Sequence, residues 1–170
     1  MALTYNNLTG EIPAELGNHK TLEVLTLSDN ELTGSIPASI FNMSALQVLG
    51  LEGNRLSVES CKLKGILPEE IGNLTGVTKM SLLKHELTGY IPNTVQGMLN
   101  LQEIYLDNNK LKGTIAEVIC NLKNLGALDL SENWFSGSMP PCLRNVTSLR
   151  KLAKLELTCK LREPSRSHTI

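Results

Sequence analysis

Residues 77–148 decide the fold, and they read VTKMSLLKHELTGYIPNTVQGMLN, then LQEIYLDNNKLKGTIAEVICNLKN, then LGALDLSENWFSGSMPPCLRNVTS. These blocks open at Val77, Leu101 and Leu125, and a fourth opens at Leu149, so the blocks are equal in length. A fixed period of this size indicates a stacked repeat, in which each unit packs only against its neighbours. Within each block the pattern is LxxLxLxxNxLxGxIP, which puts apolar residues two apart on one face of a short strand.

Polar residues and special backbone residues recur at fixed places in the repeat. An Asn follows each strand, where its amide can satisfy backbone groups of the adjacent repeat. Gly supplies turn freedom, and Pro fixes an extended return segment in which a regular helix cannot form. Successive strands therefore lie parallel, with the returns on the other side. The recurring residues are Asn30, Asn54, Asn109 and Asn133, Gly34, Gly65, Gly89, Gly113 and Gly137, and Pro37, Pro68, Pro92 and Pro140.

This pattern resembles the leucine-rich repeat, and the LTGxIP ending resembles its plant-specific subtype. Over residues 3–152 the chain is similar to the ectodomains of plant leucine-rich-repeat receptor-like serine/threonine kinases. The resemblance implies an α/β leucine-rich-repeat solenoid, a right-handed superhelical horseshoe with a concave parallel β-sheet and a convex side of loops, 3-10 turns and short helices. It also implies a noncatalytic module that recognises a peptide or protein in defence or developmental signalling. No kinase motif occurs in the chain.

We expect one solenoid over residues 1–152, with repeat starts at 22, 46, 77, 101, 125 and 149, and a degenerate or loose tail over 153–170. The spacing from 46 to 77 is irregular around 57–60, being seven residues longer than the period. We interpret it as two fused half-repeats, with Leu56 and Val58 as a strand pair and Cys61 in the Asn position. The alternative is a seven-residue loop insertion. Because neither a signal peptide nor a cysteine-paired cap precedes Leu3, we expect a fragment whose open first coil exposes apolar surface.

Composition and side-chain chemistry exclude several classes of function. A net charge of −1 and 4% aromatic residues argue against nucleic-acid binding, and no apolar run is long enough for a membrane segment. No nucleophile–base pair or metal constellation occurs, so we predict no catalytic residue, no metal, no cofactor and no enzyme activity. We interpret the histidines as structural. Because the resembled family pairs its cysteines in caps, we expect no disulfide among the four, which are Cys61, Cys120, Cys142 and Cys159.

The candidate binding site is the concave face, where outward strand positions are free of packing and can suit a peptide or protein ligand. Tyr105 is the expected anchor, since interface hot spots favour tyrosine. The candidate contacts are Thr26, Ser28, Asp29, Glu52, Ser81, Lys84, Glu103, Tyr105, Asp107, Asn108, Asp129, Ser131 and Glu132.

Four sequons predict N-glycosylation at Asn7, Asn42, Asn73 and Asn145, the last three at one place on the convex side. They fit an extracellular protein whose parent is a plasma-membrane receptor. Two alternatives remain: an apoplastic inhibitor similar to the plant polygalacturonase inhibitors, and a truncated nonfunctional product.

Overall fold

Short strands and 3-10 helices alternate along the chain in the computed structural model, which describes residues 1–54, 56, 66–115, 117–145 and 147–152. Predictions about Cys61, residues 57–60 and residues 153–170 lie outside this part. In chain order the strands are β1 (Thr9–Glu11), β2 (Val24–Thr26), β3 (Glu31–Thr33), β4 (Val48–Gly50), β5 (Lys79–Ser81), β6 (Thr88–Gly89), β7 (Glu103–Tyr105), β8 (Lys110–Gly113), β9 (Ala127–Asp129), β10 (Trp134–Phe135) and β11 (Lys151–Leu152). The 3-10 helices are η1 (Ala14–Asn18), η2 (Ala38–Asn42), η3 (Glu69–Asn73), η4 (Asn93–Gly97), η5 (Glu117–Asn121) and η6 (Pro141–Asn145).

The main sheet is parallel, and its strand order, β2-β4-β5-β7-β9-β11, follows the order of the chain. Ile104 lies opposite Leu128, the equivalent residue of the next block, so the sequence period is also the strand register. Chain neighbours become sheet neighbours because each repeat buries its apolar strand face only against the next repeat. The predicted solenoid with a parallel sheet and short 3-10 helices is confirmed.

A second set of strands follows the Asn turn of each repeat and precedes its 3-10 helix. Strands β1 and β3 pair in one small sheet, and β6, β8 and β10 pair in another, which Ile66 extends through a bridge to Thr88. We call the latter, with Ile66, the lateral sheet. Its glycines have positive φ, +80° at Gly89 and +88° at Gly113, where a side chain would strain the backbone.

The core runs the length of the solenoid between the main sheet and the 3-10 helices. Inward strand side chains such as Leu49, Met80 and Ile104 are buried, and Phe41 of η2 packs with them. Burying apolar surface stabilises the fold by about 25 cal/mol per Å². Leu3 and Leu8 of the first coil are exposed.

One asparagine in each regular repeat ties two repeats together. Nδ2 of Asn109 donates to the carbonyl oxygens of Leu82, at 2.8 Å, and Leu106, at 3.0 Å, and Oδ1 accepts from the backbone N–H of Leu87 at 3.0 Å. The bonds to Leu82 and Leu87 cross to the preceding repeat, so the predicted role of this amide is confirmed. The same cross-repeat pattern recurs at Asn30, Asn54 and Asn133.

His85 takes the place of this asparagine in the repeat that starts at Val77. It is only 7% exposed, and neither ring nitrogen has a hydrogen-bond partner. Burial lowers the pKa of His85 to about 4, because the charged ring is poorly solvated there. The backbone carbonyls of Leu51 and Asn54 and the charge of Glu52 oppose this shift, but neither carbonyl reaches hydrogen-bond geometry, so desolvation prevails.

Strands β4 and β5, which lie on either side of the irregular interval, are direct neighbours in the main sheet. Val48 of β4 lies directly opposite Lys79 of β5, although the interval between these two residues is longer than the repeat period. The interpretation of Leu56 and Val58 as the strand pair of an additional half-repeat stays a prediction, because Val58 lies outside the described residues. Leu56 is buried in the core. The alternative of a seven-residue loop insertion agrees with this pairing, because the sheet continues in register past the extra residues.

The prediction that no cysteines pair is wrong. Cys120 of η5 and Cys142 of η6 form a disulfide, with their Cα atoms 5.9 Å apart. The two residues occupy different places in successive repeats, which is why spacing alone did not suggest a pair. Stacking of the short helices brings them together, and the separation suits a disulfide.

Non-reducing peptide mapping should recover a cross-linked peptide pair containing Cys120 and Cys142. Because the bond closes a loop with a sequence separation of 22, we expect its reduction to lower the free energy of unfolding by about 3 kcal/mol. A variant with Cys61 and Cys159 replaced by serine should behave like the wild type in urea unfolding with and without reductant. Free thiols at Cys120 and Cys142 in the native protein would contradict the pairing.

Candidate functional site

The concave surface comprises the outward side chains of the main sheet and of the residues that follow each strand. Equivalent residues of neighbouring strands lie side by side and form rows across the sheet, because the strands are parallel and in register. One row runs Val24, Val48, Lys79, Glu103 and Ala127, and the next runs Thr26, Gly50, Ser81, Tyr105 and Asp129.

Four candidate contacts lie in the turn after each strand rather than in the strand itself. These residues have the left-handed backbone, with φ of +52° to +60°, which L-residues adopt at some cost. Each directly precedes the asparagine or histidine of the turn. The left-handed backbone turns the chain there, so the asparagine or histidine side chain points inward. The same place holds Gly53, with φ of +69°. The four residues are Asp29, Lys84, Asn108 and Glu132.

Two candidate contacts are buried, and the expectation that Ser28 and Ser81 are free of packing is wrong. A Cβ added at Gly50 would lie 3.2 Å from Ser28 Oγ, 3.2 Å from a methyl carbon of Thr26 and 3.4 Å from Glu52 Oε2. The side chain of Ser28 therefore fills space that Gly50 leaves empty. Short side chains on a sheet face are covered when longer neighbours lean over them.

The best-ordered group on the concave surface centres on Glu103. Lys79 Nζ lies 3.0 Å from Glu103 Oε2, and the Tyr105 hydroxyl donates to the same oxygen at 3.3 Å. Lys79 Nζ also lies 5.6 Å from the centre of the Tyr105 ring, within range of a cation–π contact. Three side chains on two adjacent strands thus hold one another in place, which reduces the entropy lost when a ligand binds there.

The electrostatics of this group follow from the same contacts. The hydrogen bond to Glu103 raises the pKa of Lys79, so the ammonium stays charged. Partial burial, and then the charge of Glu103, raise the pKa of Tyr105, so its hydroxyl stays protonated and able to donate. Lys79 was not among the candidate contacts. Lys79 is the third residue of its block, as Glu103 is of the next block. This equivalence was the sequence signal that Lys79 lies in the same row as Glu103.

A second ordered group lies one strand further along. The Ser131 hydroxyl donates to Asp129 Oδ1 at 2.7 Å, and the Ser131 backbone N–H donates to the same oxygen at 3.1 Å. The carboxylate of Asp129 is thereby held facing the concave side, next to Tyr105 in its row.

Acidic side chains dominate the charge of the concave surface. Among its described side chains are six carboxylates and two ammonium groups, so the charge of this part of the surface is negative. Within the described ranges no three His, Cys, Asp or Glu side chains are placed to hold a metal ion. The charged residues are Asp29, Glu52, Lys79, Lys84, Glu103, Asp107, Asp129 and Glu132.

Comparison with known families agrees with this geometry. Models described as leucine-rich repeats match residues 1–56 and residues 45–74, 100–122 and 124–146. The chain belongs to the leucine-rich-repeat family. A comparison with curated proteins finds no match.

Solved structures of leucine-rich-repeat receptors resemble the chain closely. The plant peptide hormone receptor RGFR1 in complex with RGF2 is 37% identical, with a TM-score of 0.80, over 86% of this chain and 22% of that chain. The ectodomain of the Arabidopsis thaliana membrane receptor kinase GASSHO1/SCHENGEN3, in complex with CASPARIAN STRIP INTEGRITY FACTOR 2, is 36% identical, with a TM-score of 0.83, over 89% and 18%. The Arabidopsis receptor kinase HAESA, in complex with the peptide hormone IDA and the co-receptor SERK1, is 34% identical, with a TM-score of 0.79, over 87% and 24%.

The leucine-rich-repeat chain therefore spans about a fifth to a quarter of the receptor chains that it resembles. Leucine-rich-repeat ectodomains of this kind are a non-enzymatic fold, and we describe the chain as a noncatalytic module. Among its described residues we find no helix with the length and apolar character of a membrane span.

Proposed function

We propose that this leucine-rich-repeat chain binds an extended peptide or protein segment on its concave surface. The observation that carries the proposal is the ordered group of Lys79, Glu103 and Tyr105 at the middle of that surface. Their positions are free of core packing, and their mutual contacts already hold the side chains in one arrangement. The related receptors RGFR1 and HAESA bind peptide hormones, which supports the same class of ligand here.

The dimensions of the main sheet suit an extended segment. Six strands about 4.8 Å apart give a surface about 24 Å long across the strands. A peptide extended at about 3.3 Å per residue would cover that length with about seven residues. The net negative charge of the surface favours a ligand with a positive charge and speeds its approach.

We also propose that the chain is part of the ectodomain of a plant receptor-like kinase in defence or developmental signalling, located outside the cell. The disulfide between Cys120 and Cys142 supports this location, since such bonds persist in oxidising compartments. The sequons at Asn42 and Asn73 also support it. Both are exposed at the ends of neighbouring 3-10 helices, where Asn73 Nδ2 donates to Asn42 Oδ1 at 3.1 Å.

Glycosylation of Asn7, Asn42, Asn73 and Asn145 stays a prediction. The inhibitor alternative is not favoured, because several solved structures that resemble the chain are plant receptors.

Peptides of about ten residues, selected from a random display library for binding to the wild-type chain, provide a direct test. We expect Tyr105→Ala to weaken their binding about tenfold, because it removes a large contact at the centre of the surface. Isothermal calorimetry measures this change. Tyr90→Ala is the matched control, since it removes a tyrosine from the lateral sheet instead.

Equal loss of affinity in both variants, or no loss in Tyr105→Ala, would place the peptide elsewhere. Circular dichroism of each variant distinguishes a lost contact from a lost fold.

A further inference from the structure

Three exposed apolar side chains lie on or directly beside the lateral sheet. Trp134 is 63% exposed, Tyr90 is 61% exposed and Ile66 is 52% exposed. Lys112 lies between the two aromatic residues: it pairs with Trp134 in the sheet register, and its Nζ lies 5.8 Å from the centre of the Tyr90 ring. We call these four residues the lateral patch. Contiguous exposed apolar groups on an otherwise polar surface mark interaction sites.

Glycines at the same place of each repeat hold the patch side chains flat against the sheet. A Cβ at Gly113 would lie 2.3 Å from the Tyr90 ring, and a Cβ at Gly89 would lie 2.9 Å from an Ile66 methyl carbon. The ring of Tyr90 therefore lies over the bare backbone of Gly113, and Ile66 lies over Gly89. Each of these two side chains therefore rests on the following repeat.

The charge of the patch argues against a second copy of this chain as its occupant. Lys110, beside it, pairs with Glu86 at 3.0 Å, while none of the described carboxylates forms an ion pair with Lys112. A symmetric contact between two patches would bring two Lys112 side chains together without an acidic partner. An occupant with negative charge avoids this repulsion.

The size and shape of the patch argue against a protein as its occupant. A stable protein interface takes about 20–30 residues on each side, whereas this patch has four residues. Lys112 lies opposite Trp134, and Ile66 lies opposite Thr88, two residues before Tyr90. A single polymer chain needs only such a small patch. Trp134 lies two strands away from the strand that Tyr90 follows, about 10 Å, with Lys112 on the strand between them.

We propose that the lateral patch binds an acidic polysaccharide, a chain of uronic acid units. The C–H groups on one face of a sugar ring carry partial positive charge and suit the negative faces of Tyr90 and Trp134. Lys112 pairs with the carboxylate of a unit between those rings. This site is separate from the concave surface, and it does not depend on peptide recognition.

Trp134 is the only tryptophan in the chain, so its fluorescence reports on this patch alone. We expect oligogalacturonate, added to the whole chain, to shift the Trp134 emission saturably, and the neutral glucose oligomer of the same length to bind at least tenfold more weakly. Lys112→Gln should lose that preference for the acidic oligomer. Tyr90→Ser should weaken binding by calorimetry, while Leu99→Ser, which alters a side chain that is 61% exposed on the convex side, should leave it unchanged.

Four results would overturn the proposal. They are no saturable binding at millimolar oligogalacturonate, equal binding of the neutral oligomer, equal binding by Lys112→Gln, and poly-glutamate binding as tightly as oligogalacturonate. A dimer in sedimentation that Trp134→Ser dissolves would assign the patch to a second copy instead. Tyr105→Ala should keep full oligogalacturonate binding. A failure of the lateral-patch proposal therefore leaves the peptide-binding proposal for the concave surface intact, and a failure of the peptide-binding proposal leaves the lateral-patch proposal intact.

Discussion

Replacing His85 with asparagine should stabilise the chain, and most strongly in acid. Between pH 6.5 and about 4, the unfolded chain protonates this histidine while the folded chain does not, because burial lowers its folded pKa to about 4. Acid therefore favours unfolding. The resulting loss in the free energy of unfolding is nearly absent above pH 7, grows as the pH falls through 6.5, and reaches about 3 kcal/mol near pH 4.

Asparagine at position 85 also restores a hydrogen bond that the imidazole fails to make. Asn54 donates to the carbonyl of Leu27 in the preceding repeat at 2.9 Å, and an amide at position 85 can donate to Leu51 in the same way. We expect His85→Asn to gain about 1 kcal/mol at neutral pH, with a larger difference at pH 4.5.

Urea unfolding of the wild type and the variant at pH 7 and pH 4.5 measures both effects. His19→Asn is the matched control, since it makes the same substitution at an exposed histidine. The three proteins share every carboxylate. The difference between the stability–pH curves of the wild type and His85→Asn therefore isolates the effect of His85. Parallel curves for wild type and His85→Asn would show that His85 is solvated or hydrogen-bonded in the folded chain.

Replacing Asn109 with alanine should strongly destabilise the stack. The substitution removes the hydrogen-bond partner of the backbone N–H of Leu87 and of the carbonyl of Leu82, while the carbonyl of Leu106 still accepts from Asn133 Nδ2 at 2.9 Å. An unsatisfied buried group costs about 1–3 kcal/mol, so we expect a loss of about 4 kcal/mol in the free energy of unfolding. Hydrogen exchange should show the amide of Leu87 among the groups that lose protection.

Asn124→Ala is the matched control for this experiment. Asn124 Nδ2 donates to the carbonyl of Leu99, also across one repeat, at 2.9 Å. That side chain is exposed, so water replaces the lost bond and the expected cost is about 0.5 kcal/mol. If both variants lost the same stability, the buried position of Asn109 would not be what makes its bonds strong.

The burial and hydrogen bonding of the repeat positions could be predicted because the same residue types recur at these positions in every block. Ile104 and Leu106 are buried, and Asn109 bonds to the preceding repeat, as the pattern indicates for each block. Alternation also identified Tyr105 and Glu103 as outward residues. It failed for Ser28 and Ser81, because exposure of a short side chain depends on its neighbours across the sheet, which alternation within one strand does not describe.

By itself the sequence determined the stack: leucines that recur at one fixed period can be buried only by piling one coil on the next. The tertiary structure alone decided what single positions do within that stack. It joined Cys120 to Cys142, placed Ser28 over Gly50 and set the ring of Tyr90 on Gly113. Those outcomes depend on distances between coils, and a linear pattern records the order of residues within a coil but not what each one meets in the next.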